Sequence, residues 1–124
     1  MPSRITEQEI RDLVHAFYGR VRANPSLGPV FEKQLAGRWE PHLEKMCDFW
    51  SGVLLATRRF SGNPVEAHMR VPGISPEHFD RWIELFERTA HDVLQPHHAA
   101  DVAGRAARMR IVLERWACPE VART

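Results

Sequence analysis

The chain has 124 residues, 17 Lys and Arg against 16 Asp and Glu, a net charge of +1, two cysteines and 44% apolar residues. That is enough for one domain over residues 1–124, able to bury roughly two thirds of its unfolded surface without disulfides or structural zinc. Both signs of charge are spread along the chain, which excludes the basic footprint of a nucleic-acid binder or a polybasic membrane protein, and no apolar run approaches the ~18 residues that span a bilayer.

The opening Met1-Pro2-Ser3-Arg4-Ile5-Thr6-Glu7 lacks the apolar region of a secretory signal, and Cys47 and Cys118 stand far apart outside any C-x-x-C pattern. The expectation is a cytoplasmic protein with two buried, reduced thiols. Four Trp, six Phe and seven His in so short a chain suit either an apolar cofactor pocket or a plain aromatic core.

Helical spacing recurs throughout and no alternating strand pattern occurs, so the expected fold class is all-α. Thr6 with Glu9 predicts a capping box, Ile10, Leu13, Val14, Phe17 and Val21 form one apolar face, and Asn24-Pro25 ends the helix. The following Ser26-Leu27-Gly28-Pro29-Val30-Phe31 reads as a short turn packed on the core. From Pro41 to about Thr57, Leu43, Met46, Trp50, Val53 and Leu54 make a second stripe. A two-turn piece over 63–70 is opened by Asn63-Pro64 and stopped by Val71-Pro72-Gly73. Ser75-Pro76-Glu77 starts another helix, carrying Phe79, Trp82, Ile83, Phe86, Ala90, Val93 and Leu94 up to Pro96. The last helix places Val102, Ala106, Met109, Leu113 and Trp116 on one side, before Pro119.

Among polar candidates, His68 is the oddest, because its proline-bounded helix is too short to be stable alone. Coordination of an iron by its imidazole would hold the piece in place, with Val65, Met69, Val71 and Ile74 as apolar cover; a partly exposed surface histidine is the plainer alternative. On the second long helix His42 heads the stripe Met46, Phe49 and Val53, a wall for a flat cofactor or simply a core stripe. Lys45 at its edge is positioned to meet a cofactor carboxylate or to lie in solvent. Tyr18 and Trp82 bring a phenol and an indole N–H to apolar faces, where they either bond backbone carbonyls or donate to a small, partly negative ligand. Glu87 and His91 lie four apart as a weak metal pair, while His97-His98, Arg58-Arg59, Arg105, Arg108 and Arg110 read as solvated surface.

With these positions in hand, the chain from Thr6 to Trp116 resembles the group III truncated haemoglobins. The resemblance is carried by Ala16-Phe17-Tyr18, Leu27-Gly28-Pro29-Val30-Phe31, Trp39-Glu40-Pro41-His42 leading into Phe49-Trp50-Ser51-Gly52-Val53-Leu54-Leu55, Ala67-His68, and Phe79-Asp80-Arg81-Trp82-Ile83-Glu84-Leu85-Phe86. It implies a shortened globin, a two-over-two helical sandwich around haem b, with a core over about 6–117. It further implies His68 as the proximal iron ligand and Tyr18, His42 and Trp82 around the bound gas. Phe31 would brace the porphyrin, with Met46, Phe49, Met69, Val71 and Phe86 as apolar neighbours. Lys45 as propionate partner comes from helix geometry rather than from the family. The connection Ala56-Thr57-Arg58-Arg59-Phe60-Ser61-Gly62 fits in length, but its residues say little.

The resemblance implies binding of dioxygen, nitric oxide and carbon monoxide. A hydrogen bond to a charged acceptor contributes about 1.5–3 kcal/mol, so two donors would slow oxygen release by about two to four decades if additive. Such a protein is a poor carrier, and redox chemistry on oxygen, nitric oxide or peroxide, with an external reductase, is the expected role. His42 serves either as a third polar group or as a gate, and His42 or Tyr18 is a candidate sixth ligand. The rival readings are a non-haem metal bundle using Glu87 and His91, or a cofactor-free interaction or sensor module.

Overall fold

Thr6 opens the first helix, α1 (Glu7–Ala23), by the expected reciprocal bonds: its hydroxyl accepts from the Glu9 N–H at 3.1 Å, and its own N–H donates to Glu9 Oε1 at 3.1 Å. The computed structural model describes residues 4–63, 71 and 74–118, and the expected short helix over 63–70, with His68 and Met69, lies almost wholly outside them. After α1 come α2 (Leu27–Leu35), α3 (Trp39–Leu55), α4 (Pro76–Val93) and α5 (Pro96–Ala117), with no strand among the described residues. α1 packs against α2, α3 and α4, and α4 packs against α5. Its six buried residues Ile10, Leu13, Val14, Phe17, Tyr18 and Val21 therefore meet three partners at once. Each fully buried large side chain contributes about 1.5–3 kcal/mol.

The segment expected as a turn is the helix α2. Asn24, which closes α1, turns its side chain forward, and Oδ1 accepts from the N–H groups of Ser26 and Leu27 at 2.8 and 2.9 Å. That supplies the cap which Ser26 does not, and Pro29 falls in the first turn, where its missing N–H costs nothing. Gly28 is required there because α2 crosses the end of α1. A Cβ at this position would lie 2.9 Å from the Arg22 carbonyl oxygen.

α3 starts at Trp39, two residues before Pro41, and ends on Ala56, whose φ of 60° is left-handed. The chain then doubles back, so that a Cβ on Gly52 would meet the Thr57 carbonyl at 3.3 Å. Arg58 and Arg59, expected on a solvated helix surface, lie past this reversal instead. Arg59 bonds Glu7, approaches Asp48 at 3.3 Å and donates to Ser51 Oγ at 2.8 Å. Ser51 is fully buried; its hydroxyl donates to Glu7 and accepts from Thr57 Oγ1 at 2.8 Å as well as from Arg59. These bonds fasten the connection to α1 and α3. The Ser51 hydroxyl, with Arg59 behind it, holds the Glu7 carboxyl below its ordinary range.

Ser75 and Pro76 start α4 as expected, with the Ser75 N–H donating to His78 Nδ1 at 3.1 Å. On α5 the inner stripe runs Val102, Ala106, Leu113 and on to Ala117. Trp116, expected on that side, is 55% exposed, because at 3.6 residues per turn it stands about 100° from Ala117. His98 departs the other way. Expected in solvent, it is buried, with Nε2 3.9 Å from Glu9 Oε2, because the third position of α5 faces the start of α1. Cys47 and Cys118 are free and buried, and burial raises both thiol pKa values. No helix of the described residues is long and apolar enough to cross a membrane.

Gly28→Ala should lower the free energy of unfolding by about 1–3 kcal/mol, read as a shifted urea midpoint at unchanged slope. An unshifted midpoint would mean that the α1–α2 crossing yields freely. Glu7→Gln should lower the thermal midpoint by about 2–4 °C at pH 7. A carboxylate with a depressed pKa stabilises above its unfolded value and loses that contribution as pH falls through the folded one. The difference between parent and variant should therefore fade below about pH 4 and vanish in stronger acid, as followed by circular dichroism.

Candidate functional site

Three aromatic planes cross the middle of the molecule. Phe86 of α4, 1% exposed, is stacked between Trp50 of α3 at 5.1 Å and Trp82, one turn back on α4, at 5.5 Å. Phe17 of α1 meets this stack edge-on, 5.1 Å from Phe86 and 6.2 Å from Trp82. It also touches Tyr18 edge-on at 5.0 Å. The stack thus fixes α1, α3 and α4 together, and its open end is the half-buried indole of Trp82.

Beside that end Tyr18 gathers a second group of rings. Its phenol is buried and lies edge-on to His42 at 5.0 Å, Phe31 at 6.0 Å and Trp39 at 6.3 Å. Desolvation pushes its pKa well above the ordinary phenol value, so Tyr18 stays neutral and remains a donor at physiological pH. Neither the Tyr18 hydroxyl nor the Trp82 indole N–H finds a hydrogen-bond acceptor among the described residues. Most buried polar groups have one. Tyr18, His42 and Phe31, separate in the sequence, are brought into ring contact, while Trp82 touches Phe17 and Phe86 and is linked to Tyr18 only through Phe17.

Met46 and Phe49 continue from His42 along α3, half-buried and packed on the core together with Leu43 and Val53. Lys45 is exposed at the edge of this stripe, and Val71 is half-buried. Phe86 lies inside the stack. His68 and Met69 lie outside the described residues. Glu87 and His91 are both exposed, and no three His, Cys, Asp or Glu side chains among the described residues are grouped to hold a metal. Two shallow clefts elsewhere, one lined by Glu7, Arg11, Cys47 and Arg59 and the other by Glu77, Asp80, Arg81 and Arg110, are polar.

Sequence reasoning missed Trp39. Its indole N–H donates to Glu32 Oε2 at 2.8 Å, the Arg22 guanidinium lies 4.6 Å over its ring, and His42 lies 6.4 Å away. The signal available was a large ring three residues before His42, which places both on one side of α3.

A half-buried apolar stripe, the Phe31 ring against Tyr18 and two neutral donors without acceptors among the described residues form a set that fits a flat apolar group carrying a small polar ligand. Metal-ligating carboxylates are absent from this cluster among the described residues. The site thus suits a porphyrin better than a bare ion.

The chain matches the bacterial-like globin family over residues 5–113. It is 33% identical over 92 residues to a group 3 truncated haemoglobin of Campylobacter jejuni, covering 72% of each chain. The crystal structure of a group III truncated haemoglobin from Campylobacter jejuni superposes with a TM-score of 0.87 at 27% identity, over 92% of both chains. With a fold of helices alone and this aromatic site between them, the chain belongs to the bacterial-like globins, a family of haem binders, as a group III truncated haemoglobin.

Proposed function

We propose that the protein holds haem b and binds dioxygen, nitric oxide and carbon monoxide, for redox chemistry on oxygen, nitric oxide or peroxide rather than for oxygen transport. One observation carries this reading: the Tyr18 hydroxyl and the Trp82 indole N–H, neutral donors in an apolar surround, have no acceptor among the described residues. Haem b would supply the iron at which a diatomic gas binds. His68 would be its protein ligand, as the family resemblance implies. Phe31, Met46, Phe49, Met69, Val71 and Phe86 would supply apolar contact and exclude water, and Lys45 would pair with a propionate at the rim. A ring held on both faces by apolar side chains and at its edge by one cation uses each of these groups according to its chemistry.

Tyr18 and Trp82 would donate to a gas that carries partial negative charge when bound, and His42, edge-on to Tyr18, would complete the polar side. Two such bonds retain oxygen for long times. Retention suits turnover and opposes delivery, so reducing equivalents would come from an external reductase. The buried free thiols fit a reducing compartment such as the cytoplasm.

Purified protein loaded with haem should show an intense Soret band, and His68→Ala should lose it or change its position, with added imidazole restoring the parent spectrum. A parent that rejects hemin, or a His68→Ala spectrum identical to the parent's, would overturn the assignment. Tyr18→Phe and Trp82→Phe should each speed oxygen release by about one to two decades in stopped flow. Unchanged release rates would remove the argument for a redox role.

A further inference from the structure

We propose that Trp39 is a positioning residue for the Tyr18 and His42 pair, held by Glu32 and Arg22 in place of a helix cap. The inference rests on the reading of Tyr18 as the donor to a bound gas. α3 begins without a capping side chain: the residue before it, Arg38, makes no cap bond and sends its guanidinium back to the Gln34 carbonyl. Pro41 in the first turn donates no hydrogen bond. An uncapped first turn frays, and capping side chains typically contribute about a kilocalorie per mole against it.

Here the tether is lateral. Trp39, the first residue of α3, is 8% exposed; its N–H is bonded to Glu32 on α2 at 2.8 Å, and its face is covered by Arg22 from the last turn of α1 at 4.6 Å. One indole therefore joins α1, α2 and α3 at the corner where His42 stands. The His42 N–H closes the first helical bond, to the Arg38 carbonyl at 3.1 Å, so fraying of this turn moves the imidazole. The His42 ring packs edge-on against Tyr18 at 5.0 Å, and Trp39 approaches the same phenol at 6.3 Å. Releasing Trp39 frees two of the rings that confine Tyr18. Glu32 and Arg22 are exposed charges, so surface electrostatics reach the gas-binding side through one buried ring.

The test uses the haem-loaded protein with Glu32→Ala, Glu32→Gln, Trp39→Phe and Tyr18→Phe. Glu32→Ala and Trp39→Phe both remove the indole bond and should raise amide hydrogen exchange at His42, whose N–H makes the first helical bond, about tenfold. They should also speed oxygen release about three- to tenfold, a fraction of the loss expected from removing the phenol itself. Carbon monoxide release should stay at the parent rate, because carbon monoxide is a weak hydrogen-bond acceptor. Glu32→Gln keeps an acceptor and should restore both exchange and oxygen release. Faster exchange with unchanged oxygen release would reduce Trp39 to a structural tether and overturn the proposal. So would equal acceleration of oxygen and carbon monoxide release. If Tyr18→Phe speeds oxygen release and Glu32→Ala does not, the positioning role alone falls. If Tyr18→Phe has no effect, the donor reading falls, and with it the role of Trp39.

Discussion

The stacking of Phe86 between Trp50 and Trp82, with Phe17 set edge-on against it, is the contact on which the rest of this small molecule depends. It joins α1, α3 and α4 through rings alone, and such pairs contribute about 0.5–1.5 kcal/mol each beyond the area they bury. Rings also set distances that flexible aliphatics would not. Phe17 packs edge-on against both Trp82 and Tyr18, and so fixes the spacing of two rings carried by different helices. A core built from leucine would bury similar area without specifying that placement.

Around this frame, polarity is handled in two opposite ways. The Ser51 hydroxyl is fully buried and fully bonded, donating to Glu7 while accepting from Thr57 and Arg59. It turns an unremarkable connection into one fastened to two helices, and the Phe60 ring packs on Phe49 just beyond it at 5.2 Å. The hydroxyl of buried Tyr18 and the indole N–H of half-buried Trp82 are treated differently, with no acceptor among the described residues. His98 Nε2, at the start of α5, is likewise a buried polar atom without a hydrogen-bond partner among the described residues.

Much of this was legible along the chain. The Thr6 and Glu9 capping box, the stop at Asn24 and the start at Ser75 and Pro76 were visible because they depend on residues three or four positions apart. The apolar faces of α1 and α4 follow from periodicity, except that Val93, at the end of α4, is 37% exposed. Trp116 was misplaced because periodicity gives a face and not its edges, and a large ring on the edge turns out as easily as in. α2 was hidden because its cap is supplied by Asn24, on the far side of Pro25, rather than by the residue next to it. Arg59 is exposed as its sequence suggests, but its partners Glu7, Asp48 and Ser51 are remote along the chain, as is Glu9, beside which His98 is buried.

For the site, residue types and helical register are readable along the chain: a phenol, an imidazole and an indole on apolar faces, and a histidine in a proline-bounded segment. Packing is what sets His42 and Phe31 against Tyr18, leaves the two donors without an acceptor among the described residues, and lets Trp39 tie the corner together through Glu32 and Arg22. The division follows from the range of the interactions. Caps and helical faces are set by interactions within one turn, whereas burial and hydrogen-bond satisfaction depend on which distant side chains arrive, and that is known only once the helices have packed.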